Sequence, residues 1–158
     1  MLFEENLKKY NQAFLRMDEF YHEYAVKNGL SDCAFWILYI ICEDGEGCSQ
    51  KELCGKLSVS KQTIHSAIHK LERDEILFLK EGTGRDKNIY LTERGKRFVE
   101  EKIVKMIRIE NRAFDDMGEE DAKELQRLTW CYANLLQKIY EAVEQEDNKS
   151  EHSDIRTF

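Results

Sequence analysis

The sequence predicts a mainly α-helical chain with one small β-hairpin, and three observations predict it. The 158 residues contain no proline and eight glycines, and the glycines fall at breaks between apolar patterns. Apolar residues recur at steps of three and four over most of the length, the period of an amphipathic helix. Only residues 76–91 depart from it. There, Ile76-Leu77-Phe78-Leu79-Lys80 and Ile89-Tyr90-Leu91 flank the turn Gly82-Thr83-Gly84-Arg85-Asp86-Lys87-Asn88, the pattern of two short strands joined by a glycine-containing turn.

A first helix is predicted over residues 3–27. Phe3, Leu7, Tyr10, Phe14, Met17, Tyr21 and Tyr24 alternate steps of four and three, which makes a seam of the coiled-coil kind. Ser31 is placed to cap a second helix over 32–44, whose middle, AFWILYIIC, is apolar on all sides and therefore predicted to be buried. Residues 43–47, Glu-Asp-Gly-Glu-Gly, form a turn. Ser49-Gln50-Lys51-Glu52 is then a capping box, in which serine and glutamate each satisfy an orphan backbone N–H at the start of a short helix. The next helix begins after Ser60. Its apolar residues Ile64, Ala67, Ile68 and Leu71 make one buried stripe, and Lys61, Gln62, His65, Ser66, His69, Lys70 and Arg73 occupy the opposite face. After the hairpin, Thr92 caps a long helix to about Met117, broken at Gly118. A last helix is predicted over 119–146, where Leu125, Leu128, Tyr132, Leu135, Ile139 and Ala142 repeat the seam of the first. The polar tail 147–158 is predicted to be disordered.

Two short helices followed by a hairpin "wing" form a winged helix-turn-helix, a unit that reads duplex DNA. The formal net charge of −7 argues against this until the chain is divided. Residues 1–48 carry 4 basic against 9 acidic side chains, residues 49–97 carry 11 against 7, and residues 98–158 carry 9 against 15. The centre is locally positive, as phosphate contact and counterion release require. Ser60, Lys61, Gln62 and Thr63 lie at a helix N-terminus, where backbone N–H groups favour a phosphate. Gln62, His65 and Ser66 are placed to reach base edges in the major groove, with His69 and Lys70 further along the same face. Arg85, at the glycine-flanked hairpin tip, is expected in the minor groove and Lys87 on the backbone.

His65 and His69 have the i, i+4 spacing of helical zinc ligands, but the glutamate of the H-E-x-x-H motif is missing. They are assigned to the DNA face, and no metal or cofactor is expected. Tyr21, Tyr24, Phe35, Trp36 and Tyr39, with Cys33 beside them, are read either as a bulky core or as a pocket for a small phenolic or other aromatic effector. The five cysteines, Cys33, Cys42, Cys48, Cys54 and Cys131, are odd in number and unpaired in spacing. They read as reduced thiols of a cytoplasmic protein. The N-terminus lacks the basic-then-apolar order of a signal peptide, and no membrane partner is expected. No nucleophile–base pair, phosphate-binding glycine loop or catalytic carboxylate pair is visible, so no enzyme activity is expected.

The order of elements, and above all the stretch GRDKNIYLTERG, resembles the MarR family of bacterial transcriptional regulators. That stretch is similar to the family pattern D-x-R-(x)n-L-T-x-x-G, with Arg85 at the wing arginine, Leu91-Thr92 and Gly95 at the helix start, and Thr83 where the family has aspartate. The resemblance implies a homodimer on a palindromic operator, commonly a repressor released by a small ligand or by thiol oxidation. Thiol-sensing members carry their reactive cysteine early in the first helix, and no cysteine precedes Cys33 here. The expected layout is an N-terminal dimerisation helix (1–30), a winged helix-turn-helix (31–97), C-terminal dimerisation helices (98–146) and the tail. The alternative is a winged helix used for protein–protein assembly without specific DNA binding.

Overall fold

The computed structural model describes residues 4–82 and 87–154. Its helices are α1 (Glu5–Lys27), α2 (Asp32–Asp44), α3 (Gln50–Lys56), α4 (Lys61–Arg73), α5 (Glu93–Val99), α6 (Lys105–Met117) and α7 (Glu119–Asp154). Strands β1 (Leu77–Glu81) and β2 (Lys87–Leu91) form an antiparallel hairpin between α4 and α5. The chain comprises two compact units, 1–108 and 109–158. The mainly helical, winged architecture expected from the sequence is present.

The core of the first unit is built around α2. The all-round apolar sequence of this helix buries Ala34, Phe35, Ile37, Leu38, Ile40 and Ile41, and Ser31 Oγ accepts from Ala34 N at its start. The predicted stripe of α4 is buried as expected, with Ile64, Ala67, Ile68 and Leu71 against the same core. Ile64, Ile68 and Leu71 each contribute roughly 1.5–3 kcal/mol on full burial. Val99, Ile103 and Met106 also join this core, so its packing extends past the expected boundary at residue 97.

Three local features differ from the sequence expectation. The strands pair from Leu77↔Leu91 to Glu81↔Lys87, one residue later in β1 and two earlier in β2 than the apolar runs suggest. The Ile76 carbonyl is taken instead by Thr92 N at 3.1 Å. Second, the helix after Thr92 contains a π-helical turn at Glu100–Val104. Its wider winding presents the Lys102 carbonyl to Tyr24, whose hydroxyl donates to it at 2.7 Å. Third, α7 continues to Asp154, past the expected helix boundary at 146. That segment holds no glycine or proline, and once a helix is under way each added residue extends it by one hydrogen bond.

The wing is tied to the helices by contacts distant in sequence. Gly47 N donates to Ile89 O at 2.8 Å and Ile89 N to Cys48 O at 2.9 Å, so the loop before α3 lies along β2. Glu46 Oε2 accepts from Leu91 N at 3.0 Å. Gly47 has φ +97, and a Cβ there would stand 3.2 Å from the Tyr90 hydroxyl. Its conformation favours glycine, and an added Cβ would crowd the Tyr90 ring.

Candidate nucleic-acid interface

The exposed face of α4 is set by its two ends and its buried stripe. At the N-terminus, Ser60 Oγ accepts from Thr63 N at 3.1 Å and lies 2.8 Å from Thr63 Oγ1. Both hydroxyls are therefore engaged in the cap. Because Ile64, Ala67, Ile68 and Leu71 point inward, Lys61, Gln62, Thr63, His65, Ser66, His69 and Lys70 all remain exposed. This is the face assigned to DNA from the sequence.

The structure brings part of that face together with the wing. A groove of about 470 Å³ is lined by Gln50, Lys51 and Cys54 of α3, by Lys61, His65 and His69 of α4, and by Leu79 and Lys87 of the hairpin. Three lysines and two histidines from three elements thus border one concave surface. Gln50 and Lys51 were not singled out by sequence. Their only signal is that they directly follow the Ser49 cap, on the first turn of α3. Ser66 lines a neighbouring depression with His65, His69, Glu72 and Arg73. Gln62, Thr63 and Lys70 are exposed on α4 and line neither surface. Arg85, expected at the wing tip, lies outside the described residues.

On the outer face of the wing, Phe78 and Tyr90 are paired across the strands with ring centroids 5.8 Å apart. The Lys80 ammonium lies 5.3 Å from the Phe78 ring centre and 4.7 Å from that of Tyr90. This cation–π contact fixes a positive charge on the hairpin. At the base of the groove, the predicted capping box is complete: Ser49 N donates to Glu52 Oε2 at 2.6 Å, and Glu52 N to Ser49 Oγ at 3.2 Å. These hydrogen bonds to Ser49 hold the Glu52 carboxyl below the usual range. Thr92 caps α5 by accepting from Gly95 N at 2.9 Å, and its hydroxyl also donates to Glu75 O at 2.6 Å. Gly95 is there because a Cβ would fall 1.8 Å from Ile76 O. Thr92 and Gly95 therefore fasten the end of the wing to the end of α4.

The aromatic residues proposed as an effector region lie against each other. Tyr21 and Trp36 have ring centroids 5.1 Å apart, Trp36 and Tyr39 5.3 Å, and Tyr24 and Phe35 6.1 Å. Phe35 is buried, while Tyr21, Tyr24, Cys33, Trp36 and Tyr39 are partly buried against the core. Burial pushes the Cys33, Cys42 and Cys48 thiols above the ordinary cysteine value. That favours the inert thiol over the reactive thiolate. Among the described residues, no group of three or more His, Cys, Asp or Glu side chains is arranged to hold a metal ion, and no single helix is long and apolar enough to cross a membrane.

Comparison with known proteins gives one family. The model of the MarR family matches residues 28–87. A MarR family regulator from Neisseria meningitidis superposes with a TM-score of 0.73 at 19% identity, covering 87% of this chain and 98% of that one. A MarR protein from Peptoclostridium difficile gives 0.63 at 24% identity, covering 92% of each chain. Staphylococcus aureus MepR in its DNA complex gives 0.61 at 18% identity, covering 88% of this chain and 98% of that one. At such identities the likeness is one of fold. Among curated protein sequences none matches this chain. Residues 28–87, which hold α2 to β1, thus match the MarR family model, and the surrounding fold is that of the family's solved members.

Proposed function

We propose that this protein is a homodimeric, sequence-specific DNA-binding regulator of transcription, acting in the cytoplasm as a repressor on a palindromic operator. The observation that carries the reading is the groove in which Lys51, Lys61 and Lys87 surround the exposed face of α4. In this reading α4 is the recognition helix. Gln62, His65 and Ser66 read base edges, Ser60, Thr63, His69 and Lys70 flank them, and Arg85 and Lys87 hold the wing on the minor groove and backbone. S. aureus MepR, which shares the fold, is solved in complex with DNA, and this supports a DNA-binding reading.

The dimer is supported by two exposed apolar faces. Leu7, Tyr10, Phe14 and Met17 of α1 are exposed, as are Leu125, Leu128, Leu135 and Ile139 of α7. These are the two seams predicted from sequence. A soluble chain covers such faces with a partner, and a second copy covers them by symmetry. A small aromatic effector would act by displacing Trp36 or Tyr39 from the packed ring cluster. It would alter DNA affinity only by binding one spacing of the two recognition helices better than the other.

The test is competitive binding to a duplex from upstream of the protein's own gene and to a scrambled duplex, across salt concentrations. Replacing Lys61 and Lys87 by alanine is expected to weaken both affinities and to make the salt dependence shallower by about one unit per lost phosphate contact. Gln62→Ala is expected to reduce the preference for operator by roughly 1–3 kcal/mol if its contact is bidentate. Unchanged affinities in the lysine double variant would overturn the reading.

A further inference from the structure

His65 and His69 lie one turn apart on α4, and their Nε2 atoms face each other at 3.0 Å. The ring centroids are 4.2 Å apart and the planes cross at 84°. Behind His69, Glu72 Oε2 stands 3.1 Å from Nδ1. A carboxylate in that position favours the ring proton on Nδ1, which leaves the Nε2 lone pair of His69 turned toward His65. Metal-binding imidazoles are commonly oriented in this way by an outer carboxylate.

The spacing fits a shared ion. Two metal–nitrogen bonds of about 2.0–2.1 Å meeting at roughly 90–110° place their nitrogens about 2.9–3.4 Å apart. The observed 3.0 Å lies within that range. Binding requires a change of tautomer at His65 and a small rotation of the rings, both open to exposed side chains. The sequence spacing alone did not indicate metal, because the catalytic glutamate of the zinc-protease motif is absent. Glu72 plays a different part here, at the outer nitrogen of one ligand.

We propose that His65 and His69, oriented by Glu72, form a two-imidazole site for a late first-row divalent cation on the exposed face of α4. Water completes the coordination shell. With no third protein ligand among the described residues, the ion is exchangeable. Imidazole donors select Cu2+, Ni2+ and Zn2+ over Mg2+ and Ca2+, which take oxygen ligands. The consequence for DNA rests on the function proposed above. An ion joining His65 to His69 removes His65 from base reading and ties up the flanking His69 while adding positive charge, so it lowers operator preference more than affinity for random duplex.

The experiment is a calorimetric titration of the full-length protein with NiCl2 in a non-coordinating, chelator-free buffer, with circular dichroism confirming that each variant is folded. Wild type and His22→Gln are expected to bind one equivalent per chain that His65→Gln and His69→Gln lose. Glu72→Gln should bind it about 10-fold more weakly, and MgCl2 should give no such binding. Equal Ni2+ binding by wild type, His65→Gln and His69→Gln would overturn the site, as would equal affinity for Mg2+. A second arm measures operator and scrambled duplex with and without Ni2+. Loss of operator preference in wild type but not in His69→Gln supports the whole inference. Ni2+ bound through both histidines with DNA affinities unchanged supports the metal site and overturns the assignment of this face of α4 to DNA.

Discussion

Helix α2 buries six of its 13 residues inside its own chain. Helix α7, with 36 residues, keeps Leu125, Leu128, Trp130, Leu135, Leu136, Ile139, Tyr140 and Val143 exposed. The distal half of α1 resembles α7 in this respect, with Phe14 52% exposed, whereas its C-terminal end places Ala25 fully in the core. The winged-helix core is thus closed within one chain, and no buried side-chain nitrogen or oxygen among the described residues lacks a hydrogen-bond partner. The long helices have an apolar face still to be covered. Most helical stability comes from packing an amphipathic face rather than from propensity, so the two regions should respond differently to substitution.

The largest expected effect attacks the open face. Replacing both Leu128 and Leu135 by aspartate should abolish the proposed dimer at micromolar concentration and reduce helix content. Each leucine contributes roughly 1.5–3 kcal/mol per chain if fully covered. Sedimentation and circular dichroism check it, and a folded monomer with full operator affinity would break the contrast. Next, Gly95→Ala should destabilise the closed core by about 3 kcal/mol or more, since the new methyl collides with the Ile76 carbonyl and a packed core tolerates little added volume. Thermal unfolding reads this, and isolated dimer dissociation at unchanged melting temperature would contradict it.

Thr92→Ala should cost about 1–2 kcal/mol in the same assay, at the upper end of a helix-cap loss, because the hydroxyl also serves Glu75. Ser60→Ala, a cap on the exposed start of α4, should cost less. Glu75 itself has φ +56, a left-handed conformation that opposes any side chain with a Cβ. Glu75→Gly should therefore be neutral or stabilising by up to about 1 kcal/mol. The smallest effect is one of pH. The Glu52 carboxyl is lowered in the fold by its hydrogen bonds to Ser49, so its stabilisation is present above the unfolded carboxylate value. It is lost as pH falls through the lower, folded one. Glu52→Gln should flatten the acid limb of the stability curve, and an unchanged limb would show that the capping box adds nothing there.

Features decided within one turn of chain were legible in the sequence. The Ser31, Ser49, Ser60 and Thr92 caps, the buried stripe of α4 and the apolar α2 depend on residues three or four apart. The groove was only half legible: Lys61, His65, His69 and Lys87 were assigned from their helix face and wing position, but Lys51 enters through the docking of α3. Gly95 was visible as part of L-T-x-x-G, although its reason, the nearness of Ile76 O, is 19 positions away in sequence. The contact of the loop at Gly47 and Cys48 with β2 and the π-helical turn carry no local signature at all. The extension of α7 beyond 146 has no apolar period to mark it, because that segment is polar throughout.

The π-helical turn at Glu100–Val104 also acts as a phase shifter. Each α-helical residue advances the side-chain direction by about 100°, whereas a π turn fits roughly one more residue into a revolution, so the winding here sets how α6 is aimed. A chain lacking one residue there could close the turn into ordinary α-helix and keep its hydrogen-bond ladder. The side chains of α6, from Met106 onward, would then point nearly as before, whereas closing the turn at unchanged length would aim them at a different quarter. The Tyr24 hydroxyl on Lys102 O therefore marks the point where the azimuth of the following helix is set. Losing the π winding at constant length would re-aim the face of α6 without changing one of its residues.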